Sequence, residues 1–343
     1  MSSEFDGLIG RVSRYIIDHP DDRDWWERGP ALVGLQRFEN PEANRVVERW
    51  IDRAVARQSS AGYLANDERD YLGSGHVRVF TPSPANASSF GVALLNVYRR
   101  TREQRLLDAA LLHAEALLAA KRTRDGGIVA RLEAPELWID FAYLMAPFLT
   151  LLGCVTGRAE FLDEGARQIE VMAKHLVDPY RNLARHVWCE TPDHYPQSTF
   201  WARGNGWLVA GLVDVIEMKP DHAAADRLCE LLRRVLTSLR ERQDRSGYLR
   251  HVLDDPFAPF ESSGTLQYAY AAAAAARLGL VESGFRDSAI RAFRVVADSV
   301  GADGGVPAVA LPPGGPGVPF GKAPFAQGFL LLAAFELQAE LRC

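Results

Sequence analysis

Long apolar segments alternate with amphipathic ones along nearly the whole chain, and this alternation constrains the fold more than any other feature. FGVALLNVY, IDFAYLMAPFLTLLGC, GWLVAGLVDVI, TLQYAYAAAAAA and FAQGFLLLAAFEL are apolar almost all round. Helices of that kind must be buried on most faces. Between them, VVERWIDRAVARQ, QRLLDAALLHAEALLAA and AADRLCELLRRVLTSLRER place apolar residues three and four apart. Those are amphipathic helices with one face in water. No segment sustains a period of two, so little strand is expected.

An apolar helix, a short turn and an amphipathic helix recur about six times, at roughly 50–60 residues per unit. The units open near Ala31, Gly91, Phe141, Gly206, Thr265 and Phe325, with turns such as FENPEAN, RRTREQ, TGRAE and KPDHA. The pattern predicts an all-α fold, an (α/α)6 barrel of six inner and six outer helices, with residues 1–343 forming one catalytic domain. An open solenoid is the competing architecture, but it would show a tighter consensus and distinct terminal caps. The long irregular connections all precede the inner helices. One mouth of the barrel therefore collects the loops, and the active site is expected there.

The chain has 343 residues, 48% hydrophobic and 24% charged, enough apolar material for a large core. Its net charge of −5 and lack of a basic run exclude a nucleic-acid binder. No apolar run reaches the length of a membrane span. The first residues lack the basic and apolar regions of a secretory signal. Cys154, Cys189, Cys229 and Cys343 lie far apart and form no CxxC, which predicts neither a disulfide framework nor a zinc site. The expectation is a cytoplasmic protein, monomer or homodimer, with no metal or organic cofactor.

Asp140 stands at the head of the apolar segment LWIDFAYLMAPFL. Desolvation there would hold its carboxyl protonated near neutrality, as a proton donor requires. A structural carboxylate at a helix N-terminus is the alternative. His186 and His194, in NLARHVWCETPDHY, are candidates for contacting substrate or orienting a carboxylate, and no HExxH pattern points to metal. In WARGNGW (201–207), Gly204 and Gly206 permit unusual backbone conformations, and Asn205 tolerates the left-handed region. Arg203 offers a fork to a carboxylate, and Trp201 and Trp207 offer flat faces to a sugar ring. FESSGT (260–265) reads as a capped helix start. DGG at 125–127 and 303–305 and RSGY at 245–248 read as tight turns.

LWIDFAYLMAPFL, RHVW, FWARGNGW, SGYLRHVLDDP, ESSGT and DGGV, in this order, resemble glycoside hydrolase family 105. Those are the unsaturated rhamnogalacturonyl hydrolases, related to the unsaturated glucuronyl hydrolases of family 88. The resemblance runs from DWWERGPALVGL to the last helix. It implies an (α/α)6 barrel acting on short oligosaccharides that end in a 4,5-unsaturated uronic acid. The implied reaction is hydration of the C4=C5 double bond, with Asp140 as general acid and base. It places His186, Trp201, Arg203 and Trp207 in the substrate pocket. The family carries a second pocket aspartate where this chain reads SPANASSFG. The best match is Asn86, which keeps the hydrogen-bonding capacity of an aspartate and loses its charge. Asp67 and Asp70 are the alternatives to Asn86 at that position. Two other functions fit the same barrel: a sugar 2-epimerase using His186, His194 and His251, and a non-catalytic carbohydrate-binding relative.

Overall fold

The computed structural model describes residues 2–19, 25–38, 40–64, 84–131, 134–312 and 314–342. Asp67 and Asp70 lie outside the described residues. The apolar segments form helices Trp25–Leu35, Gly91–Thr101, Ala146–Thr156, Ala202–Met218, Ser262–Arg277 and Pro324–Leu341. Each packs on the next, and Pro324–Leu341 returns to pack on Trp25–Leu35, so the inner ring closes. The fold is thus the α/α barrel, and the solenoid is set aside. The amphipathic segments Pro41–Ala56, Gln104–Leu118, Ala159–Leu176, Ala225–Glu241 and Gly284–Ala297 form the outer layer. The sixth outer position is taken by the first helix, Ser2–Asp18, which packs on Pro324–Leu341.

Local chemistry sets these boundaries. In the FENPEAN turn, Asn40 caps Pro41–Ala56 by accepting from the amides of Glu42 and Ala43, and Pro41 occupies a first-turn position where no amide is needed. In TGRAE, Gly157 (φ 72°) ends the helix that begins at Ala146 in a left-handed conformation. The alanine run Ala271–Ala275 is fully buried in the ring. Small side chains there let neighbouring inner helices come close.

Closure is tightest where Gly34 and Gly328 meet. A Cβ on Gly328 would lie 2.4 Å from the Pro30 carbonyl oxygen, and one on Gly34 would lie 2.5 Å from that of Gly328. Backbone cannot yield as a flexible side chain does. Gly328→Ala is therefore expected to cost about 2–3 kcal/mol, the upper range for overpacking. The denaturation midpoint in urea checks it, and an unchanged midpoint would show that the seam has slack.

Strand is sparse and confined to the connections. Its largest piece is a three-stranded antiparallel sheet of Glu136–Trp138, Val187–Cys189 and His194–Gln197. Trp138 pairs with Val187, and the Ile139 amide donates to the His186 carbonyl (3.1 Å). This pairing sets Asp140 and His186 side by side. No helix among the described residues is long and apolar enough to cross a membrane.

Candidate active site

Asp140 ends the turn after Glu136–Trp138 and leads directly into the helical turn Phe141–Leu144. Its carboxyl makes no capping bond to that turn. Oδ2 is buried and lies 3.1 Å from His186 Nε2, close enough for a charge contact but without an aligned hydrogen bond. His186 is itself buried, and its Nδ1 is hydrogen-bonded to Gln197 Oε1. An amide oxygen only accepts, so Nδ1 carries the hydrogen. Nε2 is left facing Asp140. The carboxyl and the imidazole nitrogen are thus placed to share or exchange a proton.

Gln197 was not singled out in the sequence. Nothing in DHYPQSTF marks it. Only pairing of His194–Gln197 with Val187–Cys189 brings it to His186.

The unusual backbone conformations that the glycines and asparagine of WARGNGW permit are not used. Trp201 is extended (φ −81°, ψ 130°) and the helix starts at Ala202, so Gly204, Asn205 and Gly206 are ordinary helical residues. The glycines serve close packing instead. A Cβ on Gly206 would lie 2.2 Å from the Gln267 side-chain oxygen, and one on Gly204 would lie 3.0 Å from Ile139. Asn205 uses its amide to bond the Ala184 amide (2.7 Å) and carbonyl (2.9 Å), and so ties a connecting segment to the helix.

Arg203 is 1% exposed and packed between Trp201 (4.3 Å to the ring centroid) and Phe325 (4.7 Å). Its Nη1 donates to the Ala310 carbonyl, and its Nε has no protein partner. Burial pulls the guanidinium below its ordinary pKa, while the fields of Glu261, Asp140 and Glu27 push back. Trp201 lies against the His186 ring (4.5 Å between centroids). Trp207 is fully buried among Trp26, Tyr143, Phe325 and Phe329, with Tyr143 5.2 Å away. The turn Pro84–Ala87, which carries the buried Asn86, packs against Phe141–Leu144 next to Asp140.

Gly314 and Gly315 cover the Arg203 side. Gly314 (φ 80°) sits so close to the Trp201 ring that a Cβ would lie 2.4 Å from it, and the Gly315 carbonyl accepts from His251 Nε2 (2.8 Å). His251 is buried, and that burial lowers its pKa. His194 is exposed and turned to the Pro192 carbonyl. The three histidines thus do not converge as a paired acid and base.

Around these residues several buried polar atoms lack a protein partner: Trp201 Nε1, Trp207 Nε1, His251 Nδ1, Ser89 Oγ, Ser262 Oγ and the Gln267 amide. Buried polar groups are nearly always satisfied. Most of these residues sit at the starts of inner helices, on the long-loop side. A hydroxyl-rich ligand among them is what would complete their hydrogen bonding.

An α/α barrel whose loop-bearing mouth gathers a buried carboxyl, a histidine, an arginine and indoles has the makings of a carbohydrate-processing enzyme. The chain belongs to glycosyl hydrolase family 88, whose model matches residues 11–339. It is 25% identical over 265 residues to an unsaturated rhamnogalacturonyl hydrolase of Bacillus subtilis, covering 74% of this chain and 71% of that one. It is 26% identical over 181 residues to an unsaturated 3S-rhamnoglycuronyl hydrolase of Formosa agariphila, covering 49% and 48%. Among solved structures, a possible GH105 member from Salmonella enterica superposes with a TM-score of 0.85 at 22% identity, over 99% of this chain and 95% of that one. The unsaturated glucuronyl hydrolase of Bacillus sp. GL1 gives 0.76 at 15% identity, over 99% and 97%. The sequence resemblance and the barrel expectation are both met.

Proposed function

We propose that this enzyme removes a 4,5-unsaturated uronic acid from the non-reducing end of short oligosaccharides by hydrating the C4=C5 double bond. The observation that carries the reading is Asp140 with His186: a nearly buried carboxyl facing an imidazole nitrogen at 3.1 Å. In its acid form Asp140 delivers a proton to C4, and the electron pair of the double bond forms the new C–H bond. The cation left at C5 is shared with the ring oxygen. Water adds at C5, and Asp140, now a carboxylate, takes the released proton. The resulting hemiketal opens to a C5 ketone. C1 then carries a hydroxyl beside the leaving sugar's oxygen, and this hemiacetal collapses to release the sugar. One carboxyl serves both proton transfers, unlike the paired carboxylates of ordinary glycosidases.

In this scheme Gln197 holds His186 with its hydrogen on Nδ1, so that Nε2 always faces Asp140. Arg203 has donors to spare for the uronate carboxylate. Trp201 forms the aromatic wall of the pocket, Trp207 backs it from within the aromatic core, and Asn86 binds a sugar hydroxyl. The residues act within one catalytic domain, residues 1–343. Free thiols at Cys154, Cys189 and Cys229 suit a cytoplasmic setting.

The test is an absorbance assay on purified protein with lyase-generated unsaturated disaccharides, Δ-uronyl-rhamnose types included. Loss of the unsaturated uronate's absorbance is expected with at least one. Binding without loss would move the chain to the carbohydrate-binding reading, and isomerised free sugar would mean epimerase chemistry. Arg203→Lys is expected to raise KM about tenfold with a smaller change in kcat, because a point charge does not replace a planar fork. An unchanged KM would remove Arg203 from the carboxylate contact.

A further inference from the structure

The opposite mouth of the barrel holds a second cavity, of about 830 Å³, among the C-terminal ends of the inner helices Trp25–Leu35, Gly91–Thr101, Ala146–Thr156 and Ala202–Met218. Its size falls within the usual range of small-molecule sites. Its walls include Gln36, Arg37, Asn96, Arg99, Asp214 and Glu217. We propose that this cavity is a binding site for a small hydroxylated monocarboxylate, such as a uronic acid monosaccharide.

The charges in it are only partly joined as ion pairs. The cavity's Glu217 is bound by Arg277 (2.8 Å), and its Arg100 by Glu48 (2.5 Å). Arg37 and Arg99 are left with no carboxylate within ion-pair distance among the described residues. Arg37 is nonetheless prearranged: its guanidinium lies over the Phe335 ring (5.6 Å). Desolvation pulls its pKa down, but the fields of Tyr270, Asp214, Tyr143 and Glu336 outweigh this and hold it raised.

Two guanidinium forks open to one cavity match a carboxylate. The side-chain amides beside them match hydroxyls. Asn96 donates to Gln36 Oε1 (3.0 Å), and Gln36 in turn donates to the Ala93 carbonyl (3.0 Å), so both are fixed in place. Also in the wall, Asp214 is buried and accepts from the Tyr270 hydroxyl (2.5 Å). Burial raises its pKa to about 7. A carboxyl poised at neutrality can give or accept a hydrogen bond to a hydroxyl. Where it ionises it opposes a dianion more than a monoanion, which favours a carboxylate over phosphate.

The test is calorimetric titration of D-galacturonate into the intact enzyme and into the doubly substituted Arg37→Gln, Arg99→Gln protein, with methyl α-D-galactoside and inorganic phosphate as comparison ligands. The expected result is galacturonate binding that weakens about tenfold or more when the two forks are removed, with kcat and KM for the unsaturated disaccharide unchanged. Should the double variant fail to fold, Asn96→Asp replaces it; its added negative charge is expected to weaken galacturonate by a similar factor. Three outcomes would overturn the proposal: no galacturonate binding to the intact enzyme, binding that neither variant weakens, or phosphate or the neutral galactoside binding as tightly as the uronate.

Discussion

Asp140→Asn is expected to leave a folded protein whose kcat is reduced by about a thousandfold or more, near the upper range for loss of a general acid. The two side chains have nearly the same shape, and Asp140 caps no helix, so the barrel has no reason to change. An amide has no proton acidic enough to give to C4 and no charge with which to take one from water, so both transfers are lost together. KM should move little, because the amide still fills the same space beside His186. Thermal unfolding of the variant serves as the control. Activity within tenfold of wild type would remove Asp140 from the acid role and turn attention to His186, the titratable group that faces it. His186→Ala carries a related expectation: a smaller loss of kcat with a changed pH profile, since the titratable ring that faces Asp140 would be gone.

Asp140 was legible in the sequence for a physical reason. A charged residue at the head of an apolar helix must be paired or protonated, and local sequence is enough to see that. The repeat was legible for a similar reason, since helices apolar all round have nowhere to go but the inside of a ring. What stayed hidden depends on contacts between distant segments. Glycine in WARGNGW can mean an unusual backbone angle or a close neighbour, and the sequence looks the same in both cases. The neighbour that decides it, Gln267, lies on the next inner helix. Gln197 reaches His186 only through strand pairing that no periodicity announces. Ser2–Asp18 stands outside the repeat in the sequence, and only ring closure shows that it completes the sixth pair. The cap at FESSGT was legible as a cap, but its agent is Glu261 and not a serine hydroxyl, because the extended backbone of Glu261 lets its longer side chain fold back over the first turn.

That glutamate carries the other large expected effect. Glu261 is fully buried, at 0% exposure. Its Oε1 accepts from the Ser263 amide (3.2 Å), the Ser263 hydroxyl (2.6 Å) and the Ala310 amide (3.1 Å), and its Oε2 from the Gly264 amide (2.6 Å). It therefore caps the inner helix Ser262–Arg277 and fastens the segment that carries Ala310. Ala310 is the residue whose carbonyl holds Arg203. Glu261→Ala would strand three buried amides and leave the buried Arg203 guanidinium without the carboxylate field that opposes its desolvation. Each unsatisfied buried group costs about 1–3 kcal/mol, and breaking a buried charge arrangement about 3–5 kcal/mol. These effects overlap, so the expected loss is roughly 3–5 kcal/mol, read as a lowered denaturation midpoint. Glu261→Gln separates the two causes. It keeps one acceptor oxygen but sets an amide nitrogen against a donor, and it removes the charge. If the acceptors dominate, the glutamine variant recovers part of the loss. If the field on Arg203 dominates, glutamine is as damaging as alanine, and KM rises with it because the Arg203 fork is no longer held against Ala310. A loss below about 1 kcal/mol in the alanine variant, the size of one ordinary hydrogen bond, would mean that water enters and satisfies the stranded amides. The wall beneath Arg203 would then be looser than its burial implies.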